Sequence, residues 1–225
     1  WAVNPLAVDT EGRLLAYNYQ NRFPYINTKL LKPEDAPKTL QDLLQPRWQG
    51  KIIAYDPIVS AQTLVFFVPL LNRGIIDLNY LKALGDQKLI FHVSGVGATE
   101  MLARGEASLH FPGADSSIAN IARAGAPIQA VPFEYNVLYI AGMGAVKGAP
   151  HPNATLVYLN WFLSQEGQLT FSRASGILPI RKDVPDFRPP AMVARAEKVI
   201  VTTQKDVEDQ ARLFAERAFV PLLKR

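Results

Sequence analysis

Hydrophobic positions along the chain change repeatedly between short apolar runs and stretches with helical spacing. The apolar runs have strand length and lie at 52–55, 88–93, 107–111 and 128–131. The stretches with helical spacing lie between them, at 61–73, 78–84, 98–104 and 116–124. Regular alternation of strands and helices is typical of an α/β fold with a mostly parallel sheet covered by helices.

The segment 32–60 contains the clearest local signals. Thr39 is placed to N-cap a short helix over 40–44, and Pro46 ends it. The apolar strand 52–55 follows, and Asp56-Pro57 ends this strand. Further along, Asp77 is a plausible cap for the helix over 78–84.

Three loops that follow predicted strands are rich in small residues, and each leads into a helix. Backbone N–H groups at a helix N-terminus suit an anion or a polar ligand, and ligands of parallel sheets bind at the carboxyl ends of the strands. The residues of these loops that we predict to bind ligand are Ser60, Gln62, Ser94, Gly95, Gly113 and Ser116. The alternative is that these are ordinary loops, because small capping residues are common there in any α/β protein.

The regions before and after this unit are also predicted to be regular. A strand is predicted over 13–19, with a break in the alternation of apolar and polar residues, and 23–27 is predicted to be extended. Tyr17 and Asn18, in the first of these strands, are further predicted ligand residues. After a strand over 137–146, a helix that begins at Asn153 is apolar all round and is predicted to be core. Two further helices are predicted, one capped by Ser164 and ended by Gly176 and one over 192–199. A last helix begins with a capping box of Thr203 and Asp206. Its apolar stripe is predicted to be core and consists of Val207, Ala211, Phe214 and Ala218.

Composition narrows the function classes. The chain has 225 residues, 48% of them hydrophobic, and 24 Lys plus Arg against 20 Asp plus Glu give a net charge of +4. The basic residues are scattered, so a nucleic-acid partner is not expected. Cysteine is absent, which excludes thiolate chemistry and disulfides. The three histidines are far apart in the sequence, and we predict neither a metal site nor a cofactor.

Several motifs in order along the chain resemble the bacterial extracellular solute-binding proteins of ABC transporters, the class that includes ferric-ion, putrescine and thiamine binders. The resemblance is densest at Pro37, Thr39, Asp42-Leu43-Leu44, Pro46, Trp48, Gly50-Lys51-Ile52, Asp56-Pro57 and Ser60. It continues at 25–28, 104–107, 146–154, 163–168 and 176–184.

This resemblance implies a type 2 periplasmic-binding-protein-like fold with two lobes and crossing hinge strands. Residues 29–132 would form a complete second lobe, and 1–28 with 133–225, including the C-terminal helices, would form the remainder of an incomplete first lobe. Trp1 to Ala16 matches the middle of the family pattern, so an N-terminal portion is expected to be missing, and self-association through the incomplete lobe is possible. Glu134 would lie near the cleft as a ligand residue; the alternative is a hinge carboxylate bonded to backbone.

The resemblance also implies the function. The chain would be the substrate-binding component of an ABC importer and not an enzyme. It would be located in the periplasm, or anchored to the membrane outside a Gram-positive cell. It would capture a small organic or phosphorylated anion and deliver it to a membrane permease. One alternative is a ferric-iron-binding transport protein. Ferric-binding relatives use a pair of tyrosines as iron ligands, and the corresponding segment of this chain, 108–115, has no tyrosine pair and offers only His110 and Asp115 as weak substitutes. Further alternatives are an enzyme on the same fold and the sensing domain of a regulator.

Overall fold

A computed structural model describes residues 15–223 and shows nine strands and eight α-helices in that range. The strands are β1 (Leu15–Gln20), β2 (Arg22–Asn27), β3 (Ile52–Tyr55), β4 (Ile90–His92), β5 (Leu109–Ala114), β6 (Ile128–Ala130), β7 (Phe133–Met143), β8 (Leu178–Pro179) and β9 (Ala196–Val201). The helices are α1 (Gln62–Asn72), α2 (Leu78–Gly85), α3 (Gly95–Arg104), α4 (Asp115–Arg123), α5 (Pro152–Phe162), α6 (Gln165–Ser175), α7 (Gln204–Ala215) and α8 (Val220–Leu223).

The strands form two sheets. The larger sheet has the order β4-β3-β5-β2-β6, and β3 runs parallel to both β4 and β5. The smaller sheet has the order β8-β1-β7-β9, in which β7 is antiparallel to β1 and parallel to β9. Because β3, β4 and β5 end at one edge of the larger sheet, the helices that follow them, α1, α3 and α4, all begin at that edge.

The chain passes between the two sheets at two neighbouring places. Only Asn21 separates β1 in the smaller sheet from β2 in the larger one, and Val131 and Pro132 separate β6 from β7. The larger sheet therefore already includes 22–27, which the sequence prediction placed in the first lobe. Helices α7 and α8, which that prediction also placed there, pack against α1 and α2. The lobe boundaries at 28/29 and 132/133 stay a prediction.

The main core surrounds the larger sheet. All residues of β2, β3 and β5 are buried, and Phe66, Phe67 and Phe111 pack edge to face between α1 and the sheet. A separate small cluster of Ala16, Tyr19 and Ile180 lies on the smaller sheet. The two sheets therefore differ in how completely they are covered.

The structure confirms the predictions that rest on local signals. Strand 52–55 is β3, and Asp77 caps α2 by accepting a hydrogen bond from Tyr80 N. Ser164 caps α6, which ends at Gly176 with φ 66°, a left-handed conformation that glycine adopts without strain. Thr203 and Asp206 form the expected capping box of α7. The break in alternation near 13–19 is a register shift of β1 between Ala16 and Asn18.

One element prediction is wrong in type, and one short helix is of the 3-10 type. Residues 192–199 are not a helix: a 3-10 turn at Pro190–Met192 leads into β9, which pairs with β7. The β-branched run Val199–Val201 fits this strand, and pairing with β7 overrides the helix-forming alanines before it. The short helix over 40–44 is a 3-10 helix at Gln41–Leu44, in which Thr39 Oγ1 accepts a hydrogen bond from Asp42 N.

One burial prediction is wrong, and a second holds only in part. In α5 only Leu159 and Phe162 are buried, whereas its other large apolar side chains, Leu156, Val157, Tyr158 and Trp161, are exposed. In α7, Val207 and Ala211 are exposed. Phe214, and Ala218 just after the helix, are half-buried and pack against the main core. Polar contacts join α7 to the two ends of α1: Asp206 pairs with Arg73, and Gln210 donates a hydrogen bond to Ala61 O.

Candidate functional site

The N-termini of α1, α3 and α4 lie together at one edge of the larger sheet. At α3, a Cβ on Gly95 would meet the side chain of Ser117 in α4 and the ring of Tyr55 in β3. At α4, Ser116 Oγ lies 3.4 Å from Gln20 Oε1, at the end of β1. The first turn of a helix leaves backbone N–H groups without intrahelical partners and carries the positive end of the helix dipole. This edge therefore favours negative charge.

A buried arginine lies at the same edge. Arg22 begins β2, pairs in register with Ala114 at the end of β5, and is 0% exposed. Its Nη2 donates a 2.6 Å hydrogen bond to Gln62 Oε1 at the start of α1, and its Nη1 donates to Asn21 O at 3.4 Å. Its Nε has no hydrogen-bond partner within the part of the chain that the structure describes. The guanidinium is thus held by neutral acceptors.

Asp115 is the acidic group of the site. It is the first residue of α4, is 0% exposed, and accepts a 2.9 Å hydrogen bond from Asn21 Nδ2 on its Oδ2, whereas Oδ1 has no partner among residues 15–223. Burial raises the pKa of Asp115, and the Asn21 hydrogen bond and the positive charges of Arg22 and Arg188 oppose that rise. A buried guanidinium and a buried carboxyl therefore stand near each other. The guanidinium donates to Asn21 O and Gln62 Oε1, and the carboxyl accepts from Asn21 Nδ2.

His110 in β5 is a second buried titratable group. Its ring lies 5.2 Å from the Tyr55 ring, centroid to centroid, and neither ring nitrogen has a hydrogen-bond partner among the described residues. Burial lowers the pKa of His110 to about 3, and the positive charges of Arg22 and His92 add to this effect. The imidazole is therefore neutral at physiological pH. In the described range, no three His, Cys, Asp or Glu side chains are grouped so that they could hold a metal ion.

The structure brings together six of the residues predicted to bind ligand. Gln62, exposed at the start of α1, contacts Arg22, and Ser60 Oγ accepts a 3.3 Å hydrogen bond from Gln62 N. Ser94 caps α3 through a 3.1 Å hydrogen bond from Gly97 N. The other three members of this group are Gly95 and Ser116, whose contacts are described above, and Gly113, where a Cβ would meet the Tyr25 ring.

The other three predicted residues have contacts elsewhere. Glu134 Oε2 accepts a 3.3 Å hydrogen bond from Leu40 N, and its carboxylate lines a different surface pocket with Tyr80 and Tyr135. This matches the alternative of a carboxylate bonded to backbone. Tyr17 packs against the rings of Phe162 and Phe171. Asn18 is buried in β1, where it pairs with Ala141 and Pro179.

Sequence reasoning missed the residues at the centre of the site. Arg22 counted as one of many scattered basic residues, and it lies directly before the predicted extended stretch 23–27. Asn21 and Asn136 carried no signal, because their partners are 94 to 115 positions away in sequence. Asp115 was considered only as a metal ligand.

The two crossings, and the helix N-termini at the carboxyl ends of the parallel strands β3, β4 and β5 in a mixed sheet, define the class: this is a type 2 periplasmic-binding fold. Solved structures support the class. AfuA from Actinobacillus pleuropneumoniae, a periplasmic binding protein solved with fructose-6-phosphate, is 21% identical with a TM-score of 0.77, and the match covers 99% of this chain and 73% of AfuA. Iron-bound HitA from Pseudomonas aeruginosa is 18% identical with a TM-score of 0.75, covering 96% and 72%. At these identities the likeness establishes the fold alone.

The family follows from the sequence. The model of the family described as bacterial extracellular solute-binding protein matches residues 3–201, and the chain belongs to that family. An uncharacterized protein of Haemophilus influenzae is 30% identical over 168 residues, which cover 71% of this chain and 48% of that protein. The chain thus spans about half the length of this curated relative. Within the described range, no helix has both the length and the apolar character needed to cross a bilayer.

Proposed function

We propose that the chain is the substrate-binding part of an ABC importer and captures a small organic or phosphorylated anion at the edge where α1, α3 and α4 begin. The family membership supports a solute-binding role. The protein would act outside the cytoplasmic membrane and deliver the solute to a permease. No bond is made or broken in this function, because binding and release follow from the different affinities of open and closed arrangements.

The buried guanidinium of Arg22 is the observation that carries the proposal. Removing a charged group from water costs several kcal/mol unless an opposite charge and hydrogen bonds compensate. Asp115 is the opposite charge nearby, but Arg22 forms no ion pair with it among the described residues. The hydrogen bonds of the guanidinium go to neutral acceptors, its Nε is free in that range, and its partner Gln62 is exposed. An anion that replaces or joins Gln62 would form charge-assisted hydrogen bonds with the guanidinium and with helix N-termini.

The chemistry of the pocket favours a ligand that carries hydroxyl groups in addition to negative charge. Ser60, Ser94 and Ser116 offer hydroxyls that both donate and accept hydrogen bonds, and Asp115 Oδ1 is an acceptor with no partner among residues 15–223. A sugar phosphate provides both kinds of group. Fructose-6-phosphate, the ligand of the AfuA structure, is therefore the first probe.

The test is calorimetric titration of the chain with fructose-6-phosphate, inorganic phosphate, citrate and ferric ion. We expect a phosphate or carboxylate ligand to bind and Arg22→Gln to weaken binding at least about tenfold, since a charged hydrogen bond contributes about 1.5–3 kcal/mol. Arg73→Gln is the matched control, because Arg73 lies at the other end of α1 and pairs with Asp206. Equal affinity of Arg22→Gln and the unmodified chain, or binding of ferric ion alone, would contradict the proposal.

A further inference from the structure

Two buried asparagines connect the places where the chain passes between the sheets. Asn21 separates β1 from β2, and Asn136 lies in β7 soon after the second crossing. Asn136 Nδ2 donates a 2.7 Å hydrogen bond to Asn21 Oδ1, and both residues are 5% exposed. The crossings are thus tied to each other by side chains as well as by strand pairing.

The amide pair is part of a longer chain of hydrogen bonds with a defined direction. Arg22 N donates to Asn136 Oδ1 at 3.0 Å, and Asn21 Nδ2 donates to Asp115 Oδ2. A backbone N–H only donates, so the amide oxygen of Asn136 must face Arg22 N. This leaves Asn136 Nδ2 to donate to Asn21 Oδ1, and the Arg22 N end therefore determines the orientation of both amides. We call this series from Arg22 N through Asn136 and Asn21 to Asp115 the amide relay.

The amide relay joins elements that strand pairing leaves separate. Asn136 belongs to the smaller sheet, Asp115 opens α4 on the larger sheet, and Asn21 is the connection between the two sheets. A rotation of one sheet against the other moves these three side chains relative to one another. Such a rotation would break at least one buried hydrogen bond, and leaving a buried polar group unpaired costs about 1–3 kcal/mol.

We propose that Asn21 and Asn136 are positioning residues that hold the two sheets in one relative orientation through the amide relay. This part is independent of the solute. A second part rests on the proposed function: because the relay ends on Asp115, beside Arg22, a solute that contacts Asp115 changes the last hydrogen bond of the relay. Solute binding and the relative orientation of the two sheets are then coupled, because a ligand that interacts differently with two orientations of the sheets favours one of them.

The distance between the two sheets can be measured with a pair of spin labels. The sequence has no cysteine, so Glu100→Cys on α3 and Asn160→Cys on α5, both at exposed positions, give the only labelled sites. Asn136→Asp keeps the acceptor for Arg22 N but removes the donor to Asn21, and Asn21→Ala removes both central hydrogen bonds. We expect both variants, without added solute, to broaden the distribution of distances between the labels.

Asn27→Asp is the matched control. Asn27 is equally buried in β2, and its Nδ2 donates to Leu102 O at 2.7 Å, so the variant also loses a buried amide donor. Its partners lie on α3, which covers the same sheet, and we expect its distance distribution to match that of the unmodified chain. Urea titrations of all variants identify the folded range in which the distances are compared.

The outcomes separate the two parts of the proposal. Distributions in Asn136→Asp and Asn21→Ala that equal the unmodified one would overturn the positioning role, whatever the chain binds. With fructose-6-phosphate added, we expect the unmodified distribution to shift and that of Asn136→Asp to shift less. Equal shifts would overturn the coupling. A failure of the proposed function would appear separately, as absence of binding in the calorimetric titration.

Discussion

Helices α1 and α5 are both eleven residues long and apolar on all sides, yet their surroundings differ completely. In α1 every residue from Thr63 to Leu70 is buried, between the larger sheet and α7. In α5 two residues are buried, and Val157 is 70% exposed. An all-round apolar pattern therefore predicts that a helix can be buried, but the elements packed around it determine whether it is.

The comparison predicts very different costs for removing similar apolar surface. Phe66→Ala in α1 should lower the free energy of unfolding by about 3–5 kcal/mol, because it leaves a cavity beside Phe67 and Phe111. Val157→Ser in α5 should change it by less than about 0.5 kcal/mol. Urea denaturation of the two variants and the unmodified chain measures both values. A cost above about 2 kcal/mol for Val157→Ser would show that the α5 face is covered in solution.

The same contrast explains which predictions from sequence succeeded. Caps at Asp77, Ser164 and Thr203 depend on residues three positions away, and each was found where the local pattern placed it. The burial of α5 and of the Val207 stripe depends on distant elements. The prediction for α5 was wrong, and the prediction for the stripe failed at Val207 and Ala211. At 192–199 the local sequence favours a helix, and only the pairing with β7 makes it a strand.

The candidate site divides in the same way. The three loops at the helix N-termini could be predicted, because a strand followed by small residues and a helix is a local pattern. The hydrogen bond between Arg22 and Gln62 spans 40 residues and joins two elements that are not neighbours in sequence. No local rule predicts that a particular arginine will be buried opposite a particular glutamine. The central charge of the site was therefore found only in the structure.

A second prediction concerns pH and rests on the buried histidine His110. His110 is fully buried, and burial lowers its pKa to about 3, below the value of about 6.5 in an unfolded chain. Between these two pH values the folded state binds fewer protons than the unfolded state, so His110 makes stability fall as pH falls. At pH 5 the loss relative to pH 7 is about 2 kcal/mol.

Replacing the histidine isolates this contribution. Asp115 changes stability with pH in the direction opposite to His110. Because burial raises the pKa of Asp115 in the folded state, its contribution to stability falls as pH rises above about 3.9, the value in an unfolded chain. His110→Phe keeps Asp115 and an aromatic ring beside Tyr55, so the difference in slope between variant and parent belongs to His110. Urea titrations at pH 7, 6 and 5 should show a flatter profile for His110→Phe. An unchanged slope in His110→Phe would contradict this assignment.

The smallest effect is expected where the backbone, not packing, determines the cost. Lys88 is exposed in the turn between α2 and β4 and has φ 53°, a left-handed conformation that is strained for a residue with a side chain. Its N–H donates to Gly85 O, so the conformation is part of the helix end. Lys88→Gly should therefore raise the free energy of unfolding by up to about 1 kcal/mol. Lys82→Gly, inside the same helix, should lower it by about the same amount, because glycine there adds only unfolded-state entropy. A loss of stability in both variants would mean that the lysine side chain at 88, despite its exposure, contributes more than the strain of its backbone.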